Sequence, residues 1–202
     1  MFYETKDHHG LKHNPFKSLV VPRPIGWVSS QDRNGVVNLA PYSFFNAVAS
    51  EPPIVMFSSN GAHSEGGYKD SVSNVQDTGE FVCSLATWEN REAMNTTSSM
   101  VARSVDEFEL SGLTPVPSEL VKPPRVKESP VHLECKYLQT VELPSDNPQQ
   151  ANLVVFGHVV GIHIDDSIIS DGMIDMDAFK PIARLGYFDY SVVDHVFTMP
   201  RP

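Results

Sequence analysis

Short apolar runs separated by polar turns dominate the chain, and this pattern predicts a mainly β protein. Within residues 131–137 apolar and polar side chains alternate without a break, as in a strand with one buried face. Two glycines within 153–164 indicate bends or bulges in a curved sheet. Asn34 and Gly35 favour a tight hairpin turn with positive φ. The predicted strands cover residues 25–30, 36–40, 52–59, 81–85, 131–137 and 153–164.

Helical patterns are few and short. Residues 69–80 fit a helix that Asp70 or Ser71 caps and that Gly79 ends. Ser104 and Glu107 have the spacing of a capping box. Two further helical patterns cover residues 88–97 and 177–186, the second beginning at Asp177 and ending at Gly186.

This order of elements predicts an antiparallel β-barrel with a few short helices. The strand–helix alternation of a doubly wound fold is missing, and so are the GxGxxG and GxxxxGK[ST] motifs. Prolines concentrate in 113–130, which we expect to be an ordered surface excursion, since strand-like sequence continues on both sides. The 202 residues are expected to form one domain, 1–202.

The charge balance narrows the classes of partner. There are 25 acidic and 15 basic residues, for a formal net charge of -10. Proteins that bind nucleic acid or anionic membranes need a basic surface, so neither partner is expected, although a local basic pocket for one anion is compatible. No apolar run approaches the ~18 residues of a membrane span. The polar N-terminus lacks a signal peptide pattern, and a cytoplasmic location is therefore the default.

The cysteines and histidines do not predict a metal site. Cys83 and Cys135 lie in strand-like sequence and are expected to be buried, reduced thiols. His8, His9 and His13 have no carboxylate or cysteine cluster at ligand spacing. His158 and His163 lie five residues apart on one predicted strand, so a regular pleat directs them to opposite faces, unless a bulge intervenes.

Hydroxyl groups recur where predicted strands end. Ser29 and Ser30 end one strand, Ser43 lies in the predicted loop PYSFFN, and Ser58 lies at the end of another strand. Barrels present ligand-binding groups at such positions, so the serines favour a phosphate or polyol site. The alternative is that serines simply populate turns.

Charged and aromatic residues add to this hypothesis. Lys69, Asp70 and Ser71 combine a cation, a hydroxyl and a helix start, which together bind phosphate, although ordinary capping explains them equally. Phe45, in the predicted loop, is the aromatic residue most suited to contact a flat ligand. Arg184, at a predicted helix end, is expected to pair with a phosphate or ring carbonyl, or else to complement the helix dipole. No GxSxG motif or activated serine indicates a hydrolase.

The chain resembles the flavin reductase-like proteins with an FMN-binding split barrel, a group that includes the flavin reductase component of two-component monooxygenases. The motifs run in family order along nearly the whole chain and are specific as a set. They are HNPFK (13–17), VPRPIGWVSS (21–30), NGVVNLAPYSFFNAV (34–48), PPIVMFSS (52–59), KDSVSNV (69–75), TGEFV (78–82), VDEFELSGLTPVP (105–117), VKPPRVKESPVHLECK (121–136) and ARLGYFDY (183–190).

The resemblance implies an antiparallel, Greek-key-like split β-barrel that forms a homodimer with FMN near the subunit interface. It implies that Ser29 and Ser30 hold the phosphate or ribityl chain, and that Ser58 reaches the ribityl end. Ser43, Phe45 and Asn46 would border the isoalloxazine and ribityl. The phosphate end would be formed by Lys69, Asp70 and Ser71, while Arg184 and Tyr187 would approach the flavin from the late segment.

Two features depart from the family pattern. Many relatives have threonine where this chain has Ser71, and a hydroxyl is retained. The insert 58–68 contains no arginine, so Lys69 is expected to carry most of the neutralisation of the phosphate.

The function that follows is an NAD(P)H-dependent flavin reductase, in which NADH or NADPH reduces FMN and a monooxygenase is a possible partner. The flavin performs the redox chemistry, so no side chain is assigned as catalytic. FMN is favoured over FAD by the family alone. The alternative is an FMN-binding electron carrier or storage protein without nicotinamide activity, and a third hypothesis is a barrel that has lost its cofactor and serves as a partner-binding dimer.

Overall fold

The structure is a computed structural model that describes residues 1–147 and 149–202. In chain order the strands are β1 (Arg23–Pro24), β2 (Gly26–Gln31), β3 (Val37–Tyr42), β4 (Phe45–Ser50), β5 (Pro53–Asn60), β6 (Glu80–Leu85), β7 (Pro115–Val116), β8 (Arg125–Val126), β9 (Val131–Leu143), β10 (Asn152–Ile164), β11 (Ile169–Ser170), β12 (Met173–Ile174), β13 (Ile182–Arg184) and β14 (Tyr190–Val192). The helices are α1 (Phe16–Leu19), α2 (Asp70–Thr78), α3 (Arg91–Thr96), α4 (Glu107–Ser111) and α5 (Met176–Phe179), with a 3-10 turn at Asp166–Ile168.

Seven antiparallel strands form the main sheet, in the order β3-β2-β6-β9-β10-β5-β4. The two strands at the ends of this ladder, β3 and β4, are consecutive in the chain and are joined only by Ser43 and Phe44. Because so short a connection spans roughly 10 Å at most, the sheet must curl until its two edges meet at this corner. The mainly β, antiparallel split-barrel prediction is confirmed.

Each face of the curled sheet packs against its own core. One core contains Val28, Phe57, Phe81 and Val155, and α2 closes it with Val72 and Val75. The other contains Trp27, Leu39, Met94 and Phe108 and lies beneath α3 and α4. Both cysteines belong to the first core as free thiols, which confirms that prediction. None of the helices in the described part of the chain has the length and apolar character that crossing a bilayer requires.

The six predicted strands all form and belong to the main sheet, whose seventh strand, β4, the sequence pattern missed along with the short strands β1, β7, β8 and β11 to β14. Strand β4 was expected to be a loop, but Phe45–Ser50 pairs with β5. Its burial pattern explains the error, since one buried residue is followed by five exposed ones and no alternation is present. The predicted turn at Asn34-Gly35 is found, with Gly35 at φ 93°.

The helix ends differ from the predictions. Lys69, not Asp70 or Ser71, is the N-cap residue of α2, and the helix ends at Gly79 as expected, with φ 76°. The predicted capping box is wrong, because Asp106 caps α4 and the Glu107 carboxylate accepts a hydrogen bond from the Leu39 amide. Residues 88–97 are helical only over Arg91–Thr96.

The predicted helix 177–186 is also wrong. Only α5 forms, over Met176–Phe179, and Lys180 leaves the helix at φ 44°. Pro181 follows and has no N–H to continue the helical hydrogen bonds. The chain then enters β13, so Arg184 lies on a strand that pairs with β1 and β14, rather than at a helix end.

Two irregularities in the pairing of β10 with β9 change the expected direction of the histidines. The register shifts between Phe156 and Gly157, and again between Val159 and Gly161. His158 therefore lies opposite Lys136 and His163 opposite His132, and these partners lie four residues apart on β9. Since an even spacing keeps one face, both histidines lie on the same face, contrary to the regular-pleat prediction.

The proline-rich excursion 113–130 is ordered, as predicted, and a buried carboxylate holds it to the sheet. Glu134 on β9 is fully buried and accepts hydrogen bonds from the amides of Glu119 (2.8 Å) and Leu120 (2.6 Å). His163 Nε2 lies 2.6 Å from the same carboxylate. Burial alone would raise the pKa of Glu134, but these hydrogen bonds outweigh it and hold the pKa below its ordinary value of 4.5.

Replacing this carboxylate is expected to loosen the excursion. Glu134→Gln exchanges one acceptor for a donor that faces amide hydrogens, so the free energy of unfolding at pH 7 should fall by about 1–3 kcal/mol. Since the folded-state pKa is lowered, the carboxylate stabilises fully above pH 4.5 and progressively less as the pH falls through the folded value. Urea titrations at several pH values should show the gap to wild type shrinking below pH 4.5. Glu142→Gln, at an exposed position of the same strand, is the control.

Candidate functional site

A cleft of about 320 Å³ opens at the corner where β3 leads into β4. The end of β5 and the start of α2 form its walls, and residues 97–101 cover one side. Amide and hydroxyl groups line it, together with two lysines and the ring of Phe44. Its lining includes Lys17, Asn38, Tyr42, Ser43, Phe44, Ser58, Asn60, His63, Lys69, Asp70, Ser71 and Glu107.

The hydroxyl-bearing side chains of the cleft are held by one another. Ser71 is almost fully buried, and its Oγ accepts a hydrogen bond of 2.9 Å from the Asn38 amide. Burial raises the pKa of Tyr42, while the hydroxyls of Ser71 and Ser59 act against this shift. These groups are therefore fixed in direction before any ligand arrives, which lowers the entropic cost of binding one.

One end of the cleft is positively charged although the protein is acidic. Lys69 stands directly before α2, where the first backbone amides have no carbonyl partner within the helix. Burial lowers the pKa of Lys69, and the nearby charge of Lys17 lowers it further. The ammonium groups of Lys17 and Lys69 repel each other beside the start of α2, so an anion bound there would stabilise both charges.

An arginine distant in sequence stabilises the insert 58–68 above this end. Arg103 donates to the carbonyls of Gly66 (2.8 Å) and Tyr68 (3.2 Å) and forms an ion pair with Asp70. His63 Nε2 lies 3.5 Å from the other oxygen of the Asp70 carboxylate. The insert lacks its own arginine, as the sequence indicates, but Arg103 supplies one that neutralises Asp70 and leaves Lys69 unopposed by it.

The predicted site residues separate into two groups. Ser43, Ser58, Lys69, Asp70 and Ser71 converge on the cleft, as expected for one binding site. The remaining six predicted residues do not line the cleft, and their contacts explain why; they are Ser29, Ser30, Phe45, Asn46, Arg184 and Tyr187.

Ser29 and Ser30 lie on β2 and are fully buried. The Ser29 hydroxyl donates to the Pro124 carbonyl, and the Ser30 hydroxyl accepts a 3.2 Å hydrogen bond from Asn74. Both hydroxyls thus hold neighbouring elements together within this subunit, and neither lines the cleft.

Phe45 and Asn46 lie on β4, not in a loop. The Phe45 ring belongs to the first core and packs so closely on Gly26 that a Cβ there would stand 2.4 Å from it. It is Phe44, one residue earlier, that lines the cleft. Asn46 is exposed and points away from the barrel, opposite Met56 in register.

Arg184 lies on β13 of the small sheet formed by β1, β13 and β14, and Tyr187 lies in the turn between β13 and β14. The Arg184 guanidinium hydrogen-bonds the Tyr190 hydroxyl and the Tyr187 carbonyl. Tyr187 has a positive φ of 53° and is about half exposed. Neither side chain lines the cleft of its own subunit.

Sequence reasoning missed Lys17, Asn38, Phe44, Arg103 and Glu107. Lys17 and Asn38 fall inside the motifs HNPFK and NGVVNLAPYSFFNAV, so the signal existed without a position assigned to it. Glu107 also falls inside a motif, VDEFELSGLTPVP, but was assigned to a helix cap, whereas Arg103 reaches the site through tertiary structure alone.

The fold is that of a split-barrel protein, and its cleft is lined by lysine, amide and hydroxyl groups. A family model described as "Flavin reductase like domain" matches residues 18–188, and the chain belongs to this family. An Aquifex aeolicus (strain VF5) protein is 42% identical over 169 residues, covering 83% of each chain.

Solved structures agree with this assignment. The nitrilotriacetate monooxygenase component B from Bacillus cereus is 30% identical, with a TM-score of 0.87 over 98% of both chains. A split barrel domain protein from Shewanella frigidimarina NCIMB 400 is 23% identical, with a TM-score of 0.84 over 100% of both chains, and shows the shared fold.

Removing the Arg103 side chain is expected to release the insert. In Arg103→Met the backbone amides of His63 and Gly66, which bond to Gly67 and His63 carbonyls, should exchange with deuterium about ten-fold faster, because the partly exposed guanidinium is worth roughly 1–2 kcal/mol here. Arg33→Met removes a guanidinium whose ion pair with Asp77 is well exposed, and it should leave these amides unchanged. Equal exchange rates in the two variants would show that Arg103 does not stabilise the insert.

Proposed function

We propose that this protein is an NAD(P)H-dependent flavin reductase that binds FMN in the cleft. The observation that carries the proposal is the convergence of two lysines, a helix start, several hydroxyls and an aromatic ring on one cleft of a flavin reductase-like chain. This donor set fits a phosphorylated polyol joined to a flat ring. It matches the three parts of FMN in one continuous space.

Each part of the ligand has residues suited to it. Lys69, Lys17 and the first amides of α2 would bind the phosphate, because they supply positive charge and hydrogen-bond donors, and neither lysine forms a salt bridge among the described residues. Ser43, Ser58 and Asn60 would bond the ribityl hydroxyls. Phe44 offers the ring face, and its ring also lies 6.0 Å from Lys17 Nζ.

Bound FMN would accept a hydride from NADH or NADPH and pass electrons to an acceptor. The side chains would bind and orient the ligand, and none needs to transfer a proton for this role. The nicotinamide donor is consistent with a cytoplasmic setting. A monooxygenase as the final acceptor is suggested by the similarity to a monooxygenase component B.

A homodimer is part of the proposal, with 1–202 as the single domain of each subunit. Strand β4 is an exposed sheet edge, and Val48 on it is 48% exposed. Val20 and Phe188 are also exposed, at 55% and 90%. A second subunit covering these residues would bring Asn46, Arg184 and Tyr187 towards a cleft, as the family resemblance implies.

Purification without added cofactor tests the proposal. We expect a yellow protein that releases about one FMN per subunit on heating and oxidises NADH or NADPH when FMN is present. Bound FMN without nicotinamide oxidation would instead support the electron carrier or storage protein. A colourless protein that does not bind added FMN would overturn both.

The phosphate assignment makes a separate prediction. Lys69→Met should weaken FMN binding about 10- to 100-fold, since a charge-assisted hydrogen bond contributes roughly 1.5–3 kcal/mol. Riboflavin, which lacks the phosphate, should bind both proteins alike in a fluorescence titration. Lys127→Met, at an exposed position outside the cleft, is the control. An equal loss for both flavins would place the phosphate elsewhere.

A further inference from the structure

Glu107 is a buried carboxylate in the wall of the cleft, and the proposed function does not use it. Its residue exposure is 7%, and it lines both the main cleft and a smaller adjoining cavity. One oxygen accepts a 3.1 Å hydrogen bond from the Leu39 amide. Among the described residues, no lysine, arginine or histidine lies within salt-bridge distance of it.

Two other carboxylates, the half-buried Asp70 and the buried Glu134, have cationic or histidine partners. Asp70 pairs with Arg103, and Glu134 accepts two backbone amides and faces His163. Glu107 accepts backbone hydrogen bonds only, from the Leu39 amide and its own amide, although a buried charge is normally paired as well. It is therefore a buried carboxylate without a cationic partner, beside a cleft end that carries two lysines.

Charged and titratable groups surround Glu107 on several sides. Asp70 approaches from the start of α2, Asp106 is the N-cap residue of α4, and Tyr42 faces it from β3. Lys17, His63 and Lys69 line the same main cleft. Asp32 and Arg103 line the adjoining cavity, where the charge of Arg103 is committed to Asp70. Burial raises the pKa of Glu107, Asp70 and Asp106 raise it further, and the backbone hydrogen bond from Leu39 opposes them.

We propose that Glu107 is a specificity-determining residue for phosphorylated ligands, because it couples the binding of a phosphate in the cleft to the uptake of a proton. When the phosphate of the ligand docks near Lys69 and the α2 start, the Glu107 carboxylate takes up one proton from solvent and becomes a neutral carboxylic acid. No other bond forms or breaks in this step. The inference rests on the proposed function, in that FMN is the phosphate-bearing ligand.

The physical reason is the added charge. A phosphate brings between one and two further negative charges into a region where Glu107 already lacks a cation. Like charges at close range favour the protonated form of the weaker acid, so the bound state holds the proton more tightly than the free state. By linkage, the affinity for the phosphate is lower at high pH than it would be without this carboxylate.

Glu107→Gln tests this, because the remaining amide oxygen can still accept from the Leu39 amide while the negative charge is lost. At pH 8 we expect FMN to bind this variant about ten-fold more tightly than wild type, and riboflavin to bind both within two-fold. Calorimetry in two buffers of different ionisation enthalpy should detect more proton uptake with FMN in wild type than in the variant. Free FMN is the same in the two titrations, so the difference reports Glu107 and its coupling to the bound phosphate.

Glu109→Gln, at an exposed position on the same helix, should behave as wild type. Unchanged or weaker FMN binding by Glu107→Gln, with an unchanged unfolding midpoint, would overturn the inference. If wild type binds neither flavin, the proposed function fails separately. Inorganic phosphate then replaces FMN as the probe, and the inference requires it to raise the unfolding midpoint more in Glu107→Gln than in wild type.

Discussion

The two-residue connection between β3 and β4 is the constraint on which the rest of the molecule depends. These strands lie at opposite ends of a seven-stranded ladder, yet Ser43 and Phe44 alone join them. The sheet must therefore curl fully, and its twist gives each face a separate core. The same closure brings the end of β5 and the start of α2 beside the corner, so the cleft is a direct result of how the barrel closes.

A protein with a net charge of -10 keeps one end of its cleft positively charged by pairing its carboxylates selectively. Asp70 would cancel Lys69 if it were free, but Arg103 and His63 contact its carboxylate. Lys17 and Lys69 both line the cleft. Burial lowers the pKa of Lys69, and the charge of Lys17 lowers it further. The local potential thus depends on which partner each carboxylate takes, rather than on composition.

The strands were predictable because alternation and β-branched residues mark a half-buried sheet, as in residues 131–137. Strand β4 was not, since its five exposed residues have no inner face in one subunit. The KDS motif identified part of the site because three useful groups are contiguous. The prediction for Ser29 and Ser30 failed in this subunit because a hydroxyl at a strand end can face either a ligand or a neighbouring protein group. The sequence does not show that Ser29 donates to the Pro124 carbonyl. Arg103 and Glu107 were missed because folding alone brings them to residues more than thirty positions earlier.

The N-terminal segment owes its place at the cleft to Arg23. This arginine is almost fully buried and donates to the carbonyls of Lys17 and Val20 on one side and of Leu185 on the other. Burial lowers the pKa of Arg23, and the charge of Arg184 lowers it further, so the three carbonyls offset an unfavourable environment. Because the Lys17 carbonyl is one of them, the position of the second cleft lysine is tied to the small sheet of β1, β13 and β14. A change in that sheet, such as contact with a second subunit, would therefore act through Arg23 on the position of Lys17 at the positively charged end of the cleft.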